Sequence, residues 1–195
     1  MRIYCKECIL VKRYVILAGV NGAGKSTLFS LISSLSEIEK INLDEMVREI
    51  GDWRDMHAVV EAGKLVIHRI NNYFIEGVSF SQETTLCGKS ILCNIQKAKK
   101  LGYNIEMHYV GLDSADTAKL RVKNRVEHGG HGISDEDVER RYVETLNNLK
   151  IVLPQCNLAA IYDNTEYFRI KRNVSVKENM EKQKHQVSGN LMTKV

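Results

Sequence analysis

The sequence predicts an α/β layer fold, in which a mostly parallel sheet is flanked by helices and carries a helical lid. Three observations support it. A short β-rich apolar run passes through a glycine loop into an amphipathic stretch. Strand-like runs then alternate with segments of helical periodicity along most of the chain, the pattern of a parallel sheet with crossover helices. Late in the chain, a glycine-rich break from Gly129 to Gly132 separates two arginine-bearing helical segments.

The first element is Tyr14-Val15-Ile16-Leu17-Ala18, whose unbroken apolar character suits a parallel strand covered on both faces. It runs into Gly19-Val20-Asn21-Gly22-Ala23-Gly24-Lys25-Ser26, after which Leu28, Leu31, Ile32 and Leu35 recur at helical spacing. A second extended piece spans Ile38 to Leu43 and ends at Asp44. Residues from Asp55 to Ile75 read as a helix whose inner face is Val59, Ala62, Val66, Ile70 and Phe74. Val78 to Gln82 is a third strand. Ser90 to Leu101 is a helix marked by Ile91, Ile95 and Ala98, with Gly102 placed to end it. Ile105 to Val110 alternates apolar and polar residues as a strand, and Ser114 to His128 is helical. Ser134 caps the next helix with Asp137 at N3, while Ile133 and Val138 are placed as a hydrophobic staple. Leu158 to Tyr162 is a final core strand and Tyr167 to Val174 an edge strand. The expected organisation is an extension over 1–11, one domain over 12–174 with its lid around 121–141, and a polar basic tail over 175–195. Val11 is a candidate alternative start, which would make residues 1–10 dispensable.

With 195 residues, 44% of them hydrophobic, the chain can bury about two-thirds of its unfolded surface without a disulfide or structural metal. No apolar run approaches the ~20 residues of a membrane span. Met1 to Leu10 is interrupted by Cys5, Lys6, Glu7 and Cys8, unlike a signal peptide. These features point to the cytoplasm. The net charge is +4, but the segment from Arg169 to Val195 alone holds seven cations and two acids, so the rest is nearly neutral. That distribution argues against a nucleic-acid-binding surface. The five cysteines are an odd number without a secretion signal, which favours reduced thiols. Cys5 and Cys8 form one CxxC with no second ligand pair nearby, short of a zinc site. Cys87, Cys93 and Cys156 lie among apolar residues and read as packing residues.

The glycine loop matches GxxxxGKS, between a strand and a helix as that motif requires. Its backbone N–H groups can converge on phosphate oxygens, aided by the helix N-terminus. Gly19, Asn21, Gly22, Ala23, Gly24, Lys25, Ser26 and Thr27 are therefore the candidate nucleotide-binding residues. Lys25 is expected to reach the β- and γ-phosphates of ATP, and the Ser26 hydroxyl to ligate Mg²⁺. No Asn-Lys-x-Asp guanine-reading motif follows. Asp44, beyond a strand end, suits either a base for an attacking hydroxyl or a helix N-cap. Glu83, after the third strand, suits substrate or Mg²⁺, or is an exposed loop acid. Arg121 and Arg125 share a helical face, and Arg140 and Arg141 follow on the next helix. A lid built from those helices would bring guanidinium groups onto phosphate, and ordinary surface pairing with Glu136 or Glu139 is the alternative. His131 reads as a lid contact or loop residue, and Trp53 as a core or acceptor-site aromatic.

AGVNGAGKST, INLDE, SQETTLCG, YVGL and RVKNRVEHGGHGISDEDVERRY, in that order, resemble the zeta-toxin family of P-loop kinases, especially its compact bacterial members. The resemblance covers Lys12 to Asn164. It implies a P-loop kinase fold with a five- or six-stranded sheet and a lid. It also implies ATP-dependent phosphorylation of a nucleotide sugar, typically UDP-N-acetylglucosamine at the 3′-hydroxyl of its amino sugar, which poisons cell-wall precursor synthesis. By the same likeness Asp44 is the general base, Lys25 the phosphate-binding lysine and Glu83 an acid near the sugar. Thr84 and Arg121 fall on the substrate side, and Arg125 and Arg141 clamp phosphates. An antitoxin is the partner such a protein would have. The chain is shorter than the long toxins, which leaves the acceptor open to another sugar, a nucleoside or an antibiotic. A nucleotide-dependent ATPase binding module is the alternative outside kinase chemistry.

Overall fold

The structure, a computed structural model, describes residues 11–175. The CxxC at Cys5 and Cys8, the proposed extension over 1–10 and the tail beyond Ser175 lie outside the described residues. Six strands form one sheet: β1 (Arg13–Ala18), β2 (Glu39–Ile41), β3 (Phe80–Thr84), β4 (Asn104–Gly111), β5 (Leu158–Asp163) and β6 (Arg169–Ser175). Their order is β2-β3-β1-β4-β5-β6. The first five pair in parallel, and β6 closes one edge antiparallel to β5. The helices are α1 (Lys25–Leu31), α2 (Leu43–Ile50), α3 (Met56–Glu76), α4 (Ser90–Lys100), α5 (Ala115–Glu127) and α6 (Asp135–Val152). This is the predicted α/β architecture of a P-loop kinase, with six strands. No helix among the described residues is long and apolar enough to cross a membrane.

Alternate residues of the central strands feed two cores, as the two-residue period of a strand demands. Tyr14 and Ile16 of β1 join Ile105 and Met107 of β4 against Phe74 of α3 and Ile91 and Ile95 of α4. Val15 and Leu17 face the other way and pack on Leu35. Val110 meets Val122 of α5 and Val138 of α6, with Ile133 packed alongside as the staple requires.

Local chemistry explains where the elements differ from expectation. α1 stops at Leu31 and gives way to a 3₁₀ turn over Ser33–Leu35, so Leu35 is buried while Leu31 is 67% exposed. The second extended piece ends early, at Ile41, because Asn42, rather than Asp44, caps a helix there. Its side chain accepts from the N–H groups of Asp44 and Glu45. β3 runs on to Thr84, which puts Glu83 within the strand. Cys93 is exposed on α4, contrary to the packing role expected of it; Cys156 is buried, and burial pushes its thiol up to about 12.

The alternation in β4 suggests one wet face, yet Glu106 and His108 are both buried. They are tolerated because they are paired. Arg13 Nη2 meets Glu106 Oε2 at 2.8 Å, His108 Nε2 lies 2.7 Å from Glu106 Oε1, and His108 Nδ1 lies 3.1 Å from the Tyr162 hydroxyl. Burial alone raises the Glu106 pKa, but the bonds from His108 and Arg13 outweigh it and hold the carboxyl below its ordinary 4.5. A depressed folded-state pKa means stabilisation that is present above 4.5 and lost as pH falls through the folded-state value. Urea midpoints are therefore expected to fall as pH drops below 4.5. Glu106→Gln should make that part of the fall shallower, and an unchanged slope would remove Glu106 as a source of it.

Candidate active site

β1 sits between β3 and β4, so the connections leaving it diverge and open a crevice at the carboxyl ends of the strands. The glycine loop occupies that crevice. All three of its glycines sit at positive φ. Gly19 has φ +146° and a Cβ there would lie 2.4 Å from the Val110 carbonyl oxygen; Gly24 has φ +94° where the loop enters α1. Lys25 opens α1 with its side chain 8% exposed. Its Nζ donates to the Val20 carbonyl at 3.1 Å and lies 3.9 Å from Glu83 Oε1. Burial lowers the Lys25 pKa, while the Glu83 and Asp44 carboxylates oppose that shift. Ser26 and Thr27 are exposed on the first turn.

The strand register sets Glu83 beside Leu17, next to this loop. Ser26 Oγ lies 3.2 and 3.0 Å from the two Glu83 carboxylate oxygens. Asn42 Nδ2 donates to Glu83 Oε2 at 2.8 Å. Asn42 thus does two things at once: it caps α2 and ties that helix to β3. The sequence signal for it is an Asn followed three residues later by Glu45, a helix-start pattern.

Because Asn42 takes the capping role, the Asp44 carboxylate is left to face the cleft. It lies 3.8 Å from Arg125 Nη1 and 4.0 Å from His131 Nε2, both reaching over from the lid. Arg125 Nε and Nη2 and His131 Nδ1 are buried without a hydrogen-bond partner. His131 leans on Trp53 with ring centroids 5.3 Å apart, and Trp53 packs against the α2–α3 core. Burial lowers the His131 pKa, against the pull of Asp44, and Arg125, Arg141 and Arg48 lower it further.

The four candidate lid arginines go to different places. Arg141 Nη1 donates to Asn21 Oδ1 of the glycine loop at 3.2 Å. Arg140 pairs with Asp137 and Glu144 on the surface. Glu139 pairs instead with Lys119 of α5. Arg121, expected on the substrate side, is not brought to the cleft. Its guanidinium donates to the Thr165 carbonyl at 2.9 Å, and its Cβ lies 3.2 Å from where a Gly22 Cβ would be. One helical turn separates it from Arg125, enough to move it to the far side of the loop. Thr84 lines the cleft, with Oγ1 accepting from Leu86 N–H at 3.0 Å. Leu86 itself is held at φ +64°, with its carbonyl bonded by Asn148 of α6 at 2.7 Å. That strained turn ties the strand bearing Glu83 to the helix bearing Arg141.

Between these groups lies a cleft of about 280 Å³, bounded by Asn21, Lys25, Asp44, Glu83, Thr84 and Arg141. The residues suit a magnesium nucleotide. The Ser26 hydroxyl and Glu83 carboxylate are adjacent oxygen donors of the kind Mg²⁺ takes and are the residues that would hold it. The buried Lys25 amine and the unpartnered Arg125 donors are the cations that phosphate oxygens would satisfy. No group of three or more His, Cys, Asp or Glu able to hold a metal occurs among the described residues.

A family model described as Zeta toxin matches residues 8–184. The chain belongs to the zeta toxin family. Among similar sequences, an uncharacterized protein of Haemophilus influenzae is 30% identical over 137 residues, covering 70% of this chain and 97% of that one. Among solved structures, the PezAT toxin-antitoxin system of Streptococcus pneumoniae contains a chain with a TM-score of 0.61 and 17% identity. The match covers 92% of this protein and 85% of that chain. A chain of the AvrRxo1-ORF1:AvrRxo1-ORF2 complex crystallised with sulphate ions gives a TM-score of 0.67 at 15% identity, over 88% of this protein and 63% of that chain. The same complex has also been crystallised with ATP. At such identities the structural likeness speaks for the fold. Within the zeta toxin family frame, Asn21 and Lys25 of the glycine loop, Asp44, Glu83 and Arg141 of this protein border one cleft, Arg125 approaches Asp44 from the lid, and Arg121 stands apart.

Proposed function

We propose that the protein transfers the γ-phosphoryl group of ATP to a hydroxyl of a small molecule, with a nucleotide sugar such as UDP-N-acetylglucosamine as the candidate acceptor. The observation that carries the reading is the facing pair: a carboxylate not used as a cap, Asp44, and a buried amine, Lys25, across an open cleft. ATP supplies the phosphoryl group and Mg²⁺ screens its charge. Ser26 and Glu83 are the residues that would hold the ion. Lys25 and Arg141 lie at the glycine loop, where they balance charge on the phosphates being separated. Arg125 comes in from the lid, next to Asp44.

Asp44 receives the proton of the attacking hydroxyl as its oxygen bonds to the γ-phosphorus. The bond from that phosphorus to the β,γ-bridging oxygen breaks, and ADP leaves with the electron pair. His131 and Arg125 reach Asp44 from the lid, and further closure of the lid over bound substrate would exclude water and limit hydrolysis. The nucleotide base is assigned to the opposite side of the glycine loop, where Thr165, Tyr167 and Asp113 border a cavity of about 260 Å³ next to Arg121. An ATP donor supports a cytoplasmic site for the reaction. The toxin-antitoxin setting of the PezAT neighbour supports an antitoxin as a partner.

The test is mass spectrometry of a metabolite pool incubated with the protein, Mg²⁺ and ATP labelled at the γ-phosphate, with UDP-N-acetylglucosamine added as a defined member. A phosphorylated metabolite is expected. Release of free phosphate alone would contradict the reading and favour an ATPase module.

A further inference from the structure

Gly63 lies near the middle of the 21-residue helix α3, at a place where glycine has no backbone reason to be. Its φ is not positive, and a Cβ built on it meets nothing within 4 Å. Glycine inside a helix is less favourable than alanine by about 1 kcal/mol, so nothing in the fold itself rewards it here. What borders Gly63 is the cleft that holds Asp44 and Lys25. One turn further along α3, Ile67 stands 60% exposed on the same wall, beside Val66. The cleft does not end there. A second cavity of about 200 Å³ shares Val66, Ile67, Gln82 and Ser90 with it and continues toward Asn71 and Asn94. The Gln82 side-chain oxygen accepts from the Tyr14 hydroxyl and, at 3.4 Å, from Asn94 Nδ2, which leaves the Gln82 N–H₂ and the Asn94 side-chain oxygen for other partners. No Lys, Arg, Asp or Glu lines this second cavity.

We propose that Gly63 is a specificity-determining residue: the space above it lets an acceptor reach past Asp44 into the second cavity. The acceptor would place its reacting hydroxyl at Asp44 and lay its body along Gly63 and Ile67. Its far end is uncharged and hydrogen-bonding, read by the side-chain amides of Gln82 and Asn94. The inference rests on the phosphotransferase reading and deepens it by assigning the shape and charge of the acceptor. A charged far end would be desolvated there without a counter-charge.

The experiment compares wild type, Gly63→Ala and Gly63→Leu in the metabolite pool with labelled ATP described above, together with melting temperature and ADP binding. Gly63→Ala is expected to melt about 2–4 °C higher, since it gains helix propensity where nothing clashes. ADP affinity should stay within about twofold in both variants. Labelled product should fall about tenfold or more in Gly63→Leu, whose side chain fills the passage, with a smaller fall in Gly63→Ala and a higher KM for the acceptor identified. Wild-type product yield and KM in a Gly63→Leu protein that binds ADP normally would overturn the inference. If wild type itself labels no metabolite, the phosphotransferase reading falls and this inference with it; that failure shows before any variant is compared. Should Gly63→Leu lose ADP binding, the tighter KM test on Gly63→Ala decides, and an unchanged acceptor KM there overturns the proposal.

Discussion

Asp44→Asn is expected to reduce phosphoryl transfer by about 10²–10⁴-fold, the range for losing a general base, while leaving ADP binding nearly intact. Asn keeps the size of the side chain, and the start of α2 does not depend on it, because the capping oxygen belongs to Asn42. The glycine loop and Lys25 lie on other elements. The loss should therefore appear in kcat, measured by product formation at saturating ATP, with the ADP dissociation constant as the control. An Asp44→Asn protein that turns over at the wild-type rate would remove Asp44 from the base role. Asn42→Ala offers a contrast. It removes the cap, at a typical ~1 kcal/mol of stability, and also the tie to Glu83, so stability and activity should fall together.

Arg141→Ala is expected to cost about 10³-fold or more in transfer, the scale of an arginine that stabilises charge on a moving phosphoryl group. Its neighbour in sequence provides the control. Arg140 is spent on Asp137 and Glu144 at the surface, so Arg140→Ala should change transfer by less than about twofold. The two substitutions remove the same charge from the same turn of α6 and differ only in direction. A lysine at position 141 should recover little, since an ammonium cannot reproduce a planar two-pronged donor. Equal effects of Arg140→Ala and Arg141→Ala would show that net lid charge, not the contact with the loop, is what matters.

Much of this site is legible in the chain because its parts are local. GxxxxGKS between a strand and a helix specifies its own backbone path, and the Ser134–Asp137 cap with its staple announces the start of α6. What is not legible depends on partners far apart in sequence. Spacing places Arg121 with Arg125 and Arg140 with Arg141; only the packing of α5 and α6 against the loop sends one of each pair inward. The alternation of β4 hides a buried ion pair because Arg13 of β1 bonds Glu106 across the sheet while His108 bonds it along β4 itself. α2 is missed for a different reason. Its eight residues are strongly amphipathic at the helical period, but two turns following directly on a strand are short enough to be taken for that strand's end. Glu83 reads as the start of a loop from its flanking residues, yet it belongs to β3 and gains its role from the neighbouring β1.

The fate of the γ-phosphate tests the transfer reaction most directly. With ATP labelled at that position, phosphate bound in an organic ester and free phosphate can be separated and counted for wild type and for Asp44→Asn. Wild type should place most of the label in the ester once its acceptor is present, and Asp44→Asn should lose the ester while any slow release of free phosphate persists. Label found only as free phosphate in wild type, or an ester yield indifferent to Asp44, would contradict it.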